Sequence, residues 1–198
     1  MEKIRYKPIG GIPSSYSFDK ILSDSTKEGT VYLLTETSTS EKYVMKVFAK
    51  TKSPKTIAHE IKMQKAFYPY SPKIMLEGKN YFIMEYGTPA VDILKKDPKM
   101  IYTFVRDFLQ LISFELTSLL SHNDTKLDNI IYLHHRFLFI DFGFTRKSKN
   151  CKEIISVLAY SIFKIHKQLS PRFEKEIQAL RKVEQTISKL IHIPSLFH

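Results

Sequence analysis

Two regimes of hydrophobic spacing follow one another along the chain. In the first half, short runs of β-branched and aromatic residues near positions 17–22, 30–36 and 42–48 are separated by polar turns, a pattern that predicts an antiparallel meander. Ser53 and Pro54 then supply an N-cap and a proline for the first helical position. Ile57, Ala58 and Ile61 give the following helix an apolar face to about Phe67. Two more strands are expected near 73–76 and 81–85, turned by Gly78, Lys79 and Asn80. From Pro98 onward the period changes. Ile101, Phe104, Val105, Phe108, Leu111, Ile112, Leu116 and Leu119 recur at helical spacing, which predicts one long, deeply buried helix ending in the polar run Ser121-His122-Asn123-Asp124. Short apolar strands at 130–133 and 137–140 are expected to join across His134 and His135. The remainder reads as helical, with Phe173, Ile177, Leu180, Val183, Ile187 and Leu190 on one stripe after a start at Ser170-Pro171. No repeat, low-complexity tract or Gly/Ser linker interrupts this order. The expected class is therefore α+β, a single domain of two lobes with a strand-rich half over 1–86 and a helical half over 87–198.

Composition agrees with a folded chain, since 43% hydrophobic and 13% aromatic residues in 198 can fill a core. The single cysteine, Cys151, cannot form an internal disulfide, and MEKIRYKPIGG lacks the apolar stretch of a secretory signal, so a reducing, intracellular, cytoplasmic setting is expected. The greasiest region, 154–165, is broken by Ser156, Ser161 and Lys164, and no membrane span is expected. A formal net charge of +11 points to an anionic partner: nucleic acid, an acidic lipid surface, an acidic protein or a nucleoside triphosphate. The lysines form neither a long basic block nor an interleaved aromatic motif, so nucleic acid is set aside and a solvated basic surface is the plainer reading.

Chemistry concentrates in His122-Asn123-Asp124-Thr125-Lys126-Leu127-Asp128-Asn129 and, after a strand pair, Asp141-Phe142-Gly143. Three carboxylates, a lysine and an asparagine sit on loops beside apolar strands. Any one of them could cap a turn; together they ask for more. The arrangement resembles the catalytic loop and metal-binding motif of protein kinases, with an asparagine five residues after the first aspartate and a lysine two after it. The resemblance runs from about Leu22 to Arg146 and implies a bilobal protein-kinase-like fold that binds ATP with Mg2+ in the cleft between lobes. Phosphoryl transfer asks for positioning and charge neutralisation. In these terms Asp124 orients the attacking hydroxyl, Lys126 holds the γ-phosphate, and Asn129 and Asp141 offer hard oxygens to magnesium.

The first half carries further likenesses. In Tyr43-Val44-Met45-Lys46-Val47-Phe48 a period of two puts Lys46 on one face with Val44 and Phe48, where an ammonium needs an anion unless it snorkels from a strand edge. The segment is similar to the kinase strand with the phosphate-binding lysine, and Glu60, beside Ile57 and Ile61, is its candidate ion-pair partner. Gly29-Thr30-Val31 lies where a glycine-rich loop would end, so Gly29 and Val31 join the expected ATP site. Asp24 and Thr26 stand where the first two glycines would be, and Asp24 would oppose a phosphate unless it turned outward. Phe82-Ile83-Met84-Glu85-Tyr86-Gly87 looks like the hinge between lobes. There Met84 would line the adenine pocket, and the Glu85 and Tyr86 backbone would bond the base.

The chain also departs from the pattern. Only 144–150 separate Gly143 from the next predicted helix, with no long activation segment and no Ala-Pro-Glu motif. Asn123 stands where regulated kinases carry an arginine that reads the activation-loop phosphate. The two absences agree and imply a compact kinase without that control. Lys126 favours a serine/threonine protein acceptor. A kinase-like binding module that engages a partner through its basic surface, and a small-molecule kinase, are the alternatives. Pared-down kinases of this sort are familiar among viruses and intracellular pathogens, so a host cell is one possible setting.

Overall fold

The computed structural model describes residues 11–169 together with Lys182, Gln185, Thr186 and Lys189. The apolar stripe predicted from Phe173 to Leu190 lies outside the described residues. The chain divides into two compact units. The first takes the residues up to Tyr68 together with Pro72–Tyr86, and the second takes Pro69–Ser71 and the chain from Gly87 onward.

In the first unit, β1 (Tyr16–Ser25), β2 (Gly29–Glu36), β3 (Lys42–Phe48), β4 (Ile74–Glu77) and β5 (Tyr81–Glu85) form one antiparallel sheet. Its order is β1-β2-β3-β5-β4, so the predicted meander holds for the first three strands. The helix α1 (Pro54–Ala66) begins as predicted. Ser53 Oγ accepts the Thr56 amide at 3.1 Å, Pro54 occupies the first turn, and Phe67 is the C-cap. Period-two alternation divides the sheet residues between two faces. Tyr32, Leu34, Tyr43, Met45, Val47 and Ile83 form a buried cluster on one. The register places Val31 opposite Lys46 and Lys46 opposite Phe82, and Leu33 opposite Val44 and Val44 opposite Met84, on the other.

The second unit contains β6 (Thr88–Pro89), α2 (Ala90–Lys96), α3 (Met100–Ser118), β7 (Leu120–Ser121), β8 (Ile130–Leu133), β9 (Arg136–Phe139), β10 (Arg146–Lys147) and α4 (Cys151–Leu169). Strands β6, β8 and β9 form one sheet and β7 pairs with β10. The predicted turn at His134-His135 is present. Both residues have positive φ, 48° and 61°, as a two-residue hairpin of the primed kind requires. Helix α2 was not anticipated, because seven residues burying only Ala90 and Leu94 are too short to show a period. Helix α3 is shorter than expected. Its last residue is Ser118, and Leu119, counted on the apolar stripe, instead adopts the left-handed conformation (φ 53°, ψ 29°) that turns the chain into β7.

The core of this unit is aromatic. Phe104 meets Phe137 edge-on at 5.3 Å and Phe108 lies 5.9 Å from Phe139, so α3 lies against the β8–β9 hairpin. Tyr70 belongs here as well: its carbonyl accepts the Phe139 amide at 2.8 Å and its ring lies 5.1 Å from Phe114. Among the described residues, no helix is long and apolar enough to cross a membrane.

Gly29 has a tightly constrained backbone. It has φ of 116°, and a Cβ there would stand 2.0 Å from the Val47 carbonyl oxygen. Gly29→Ala is expected to cost about 2 to 5 kcal/mol, from left-handed backbone strain of about 1 to 2 and overpacking of about 1 to 3. Denaturant unfolding of the two proteins checks this; equal midpoints would show that β2 and β3 can separate there without cost.

Candidate active site

Lys46 stands in the middle of β3 and extends from a sheet face otherwise made of Val31, Val44, Phe82 and Met84. An ammonium cannot stay charged there alone. Its partner is the one expected from the sequence: Glu60 on α1 forms an ion pair with it, the carboxylate 1% exposed and the lysine side chain 12% exposed. The Phe48 ring centroid lies 5.5 Å from the ammonium. Met84 is held from the side by Gln64, whose Nε2 is 3.2 Å from the sulfur. Four expected site residues, Val31, Val44, Lys46 and Met84, therefore share one face.

Gly29, Glu85 and Tyr86 are placed differently. Gly29 is used for the close approach of β2 to β3. The turn before it is closed on itself, because Ser25 Oγ accepts the Lys27 and Glu28 amides at 3.3 and 3.2 Å. Asp24 is tied to Thr30, whose hydroxyl donates to it at 2.7 Å. Glu85 ends β5 with its amide donating to the Lys73 carbonyl at 3.2 Å and its carboxylate accepting the Lys73 amide at 2.7 Å. Tyr86 is the last residue of the first unit.

The second group of residues lies in the second unit. After β7 the chain turns through Asn123, φ 62°, and presents Asp124. Lys126 Nζ donates to Asp124 Oδ2 at 2.9 Å. Asn129 Nδ2 donates to the same oxygen at 2.8 Å and to the Asp124 carbonyl at 2.9 Å. Two side chains singled out from the sequence, Lys126 and Asn129, thus meet on the carboxylate of a third, Asp124. With its amide nitrogen so engaged, Asn129 has its Oδ1 to offer a hard cation. The Asn129 carbonyl accepts the Ile140 amide at 3.0 Å, which sets Asp141 one residue beyond that contact. Asp141 itself has φ of 67° and ψ of 73°, a left-handed conformation that a short polar Asp tolerates better than most side chains. Among the described residues no cluster of three or more His, Cys, Asp or Glu side chains forms a metal cage. Asn129 and Asp141 suit a cation that keeps waters and phosphate oxygens as its other ligands.

His122 holds this loop together, a role its sequence position did not reveal. Its ring is fully buried and lies 4.7 Å edge-on from Phe142. Nδ1 accepts the Asp124 amide at 3.3 Å, so the proton sits on Nε2 and is donated to the Ile140 carbonyl at 3.1 Å. One imidazole therefore joins the residue that presents Asp124 to the residue that precedes Asp141. Burial pushes its pKa down to about 4, outweighing the Ile140 hydrogen bond and the nearby charges of Asp141 and Asp124. It is a neutral structural group at physiological pH.

Two buried acids on α3 were also missed. Asp107 Oδ2 accepts the Phe137 amide at 2.8 Å, and Glu115 Oε1 accepts the His122 amide at 2.9 Å. Burial drives the Glu115 carboxyl up to about 8, only partly opposed by that hydrogen bond, and among the described residues its Oε2 has no hydrogen-bond partner. The available signal was positional: both acids fall on the apolar stripe of α3. From α4, Gln168 Oε1 accepts the Leu127 amide at 3.2 Å. No sequence pattern marks it.

No protein-family model matches the chain. Among curated proteins it is similar to the probable serine/threonine-protein kinase YbdM of Bacillus subtilis (strain 168), at 24% identity over 198 residues. That alignment takes in 83% of this chain and 77% of the relative. The likeness is distant and supports a kinase-like relationship.

Two outcomes follow for stability. Lys46→Met takes the counter-charge from a buried carboxylate and is expected to cost about 3 to 5 kcal/mol, of which the double variant Lys46→Met/Glu60→Gln regains a large part. A double-mutant cycle by denaturant unfolding reads this coupling, and additive losses would contradict it. The pH dependence has two opposed parts. Glu115 keeps its proton in the folded state between about 4.5 and 8, so its contribution is full at low pH and is lost as pH rises through that window. His122 resists protonation between about 6.5 and 4, so its contribution is lost as pH falls. Glu115→Gln should therefore gain on the parent by about 1.4 kcal/mol per pH unit across the upper window. A difference that stays flat from pH 5 to 8 would show that Glu115 holds no proton there.

Proposed function

We propose that the chain is a compact serine/threonine protein kinase that transfers the γ-phosphoryl group of ATP, with magnesium, to a protein hydroxyl. The observation that carries this reading is the convergence of Lys126 and Asn129 on Asp124. The distant kinase relative supports the same chemistry. In the reaction the acceptor oxygen bonds to the γ-phosphorus, the bond to the β–γ bridging oxygen breaks, ADP departs and the hydroxyl proton passes to Asp124 Oδ1 or Oδ2. Lys126, held at 2.9 Å from Asp124, brings a positive charge to the transferring group. Lys46, kept charged by Glu60, serves the phosphates. Bound magnesium would supply charge neutralisation across the phosphates, and Asn129 and Asp141 are the residues to hold it. The backbone and side chains of Val31, Val44, Met84, Glu85 and Tyr86 would receive the nucleoside.

Asn123 Nδ2 donates to the Ser121 carbonyl at 3.0 Å and to the Phe144 carbonyl at 3.1 Å, so an amide ties down the segment after Gly143. A second reading, a kinase-like binding module with slow or no transfer, draws on the turn at Lys27 and Glu28. The amides that would cradle a phosphate are taken there by Ser25.

Two aspartates separate the readings. Asp141→Asn should weaken Mg-ATP binding and turnover together. Asp124→Asn should keep Mg-ATP affinity while lowering transfer from radiolabelled ATP about a hundredfold to ten-thousandfold. Transfer by Asp124→Asn at the parent rate would remove Asp124 from the chemistry. Nucleotide binding by the parent without transfer to any protein acceptor would favour the binding module.

A further inference from the structure

We infer that the acceptor hydroxyl is carried on an acidic protein segment, recognised by Arg146, Lys147 and Lys149 beside Asp124; this rests on the kinase reading of the site. These three cations belong to the short segment that replaces a long activation loop, and the fold fixes where they stand. Strand β10 pairs with β7, with Arg146 opposite Ser121 and Lys147 opposite Leu120. The Ser148 amide donates to the Leu119 carbonyl at 2.8 Å, and Asn123 holds the Phe144 carbonyl. The strand partner of Arg146 is therefore three residues from Asp124. Thr145 and Ser148 are buried while Arg146, Lys147 and Lys149 are exposed, so the segment is anchored between cations that face solvent.

Their charges are not spent among the described residues. Lysines 42, 52 and 65 each pair with a carboxylate. Among the described residues no ion pair engages Arg146, Lys147 or Lys149. Glu153, the acid nearest in sequence, accepts the Lys149 amide rather than its ammonium. Phe144, 63% exposed, adds an apolar contact at the start of the segment. Through its pairing with Ser121, three residues before Asp124, this strand adjoins the segment that presents the carboxylate, and its cations sort the flanking charges of a chain that lays a hydroxyl there. Exposed pairs are individually weak and screened by salt, so their effect is selection among acceptors.

The test uses the whole chain with Mg-ATP and three serine/threonine peptides alike except for flanking Asp/Glu, Ala or Lys/Arg. Binding of the labelled peptides is followed by fluorescence anisotropy in parallel. The acidic peptide is expected to exceed the alanine one about tenfold in kcat/KM and in affinity, with the advantage lost in high salt. The double variant R146E/K147E should invert the order toward the basic peptide, a gain that misfolding cannot produce. Equal handling of the three peptides, or an acidic preference untouched by charge reversal, would overturn the inference. So would competition by single-stranded RNA with no discrimination among peptides. If no peptide is phosphorylated, the kinase reading falls, and the anisotropy order still decides whether this strand selects acidic segments.

Discussion

A buried imidazole is the contact on which the arrangement of the second unit's loops depends. His122 accepts the Asp124 amide with one nitrogen and donates to the Ile140 carbonyl with the other, so two loops distant in sequence are set by one rigid ring. The ring can do this only while neutral, and burial against Phe142 and Phe139 keeps it so. Helix α3 supports the arrangement from beneath, where Glu115 takes the His122 amide and Asp107 takes the Phe137 amide of β9. A helix that buries two acids gives up apolar contact. It gains two directed acceptors for backbone amides that water cannot reach.

The first unit solves a different problem with the same means. A lysine placed in mid-strand among Val31, Val44, Phe82 and Met84 is costly unless its charge is met, and Glu60 of α1 meets it. The pair is nearly dry, and a charge kept in a poorly solvated place acts more strongly on its partner than one in bulk water. Gly29 serves the same sheet by letting β2 approach β3, so the one residue retained from a glycine-rich pattern answers to backbone packing.

The segment between Gly143 and α4 shows how a short connection can be ordered without a covalent switch. Pairing of β10 with β7, the Ser148 amide and the Asn123 side chain each supply a hydrogen bond within a few residues. None of these needs a charge to be added. The strand so formed carries the cations into a defined place, and this distinguishes them from the many lysines spread over a chain of net charge +11.

Most elements were legible because they are local. The capping of α1 by Ser53 and Pro54, the alternation of β2 and β3, and the turn at His134-His135 each depend on residues within one short window. The candidate site residues stood out for the same reason: Asp124, Lys126 and Asn129 lie within six positions, where a carboxylate, an ammonium and an amide are close enough to meet. Lys46 announced its need for an anion through the apolar face it shares. What tertiary structure decided was everything that bridges distance. It made Leu119 a left-handed cap rather than another turn of helix, and it brought Gln168 of α4 to Leu127. It also turned His122 from a loop residue into the clamp of two loops. These contacts join positions up to 41 residues apart, and no periodicity records which backbone amide a buried side chain will find.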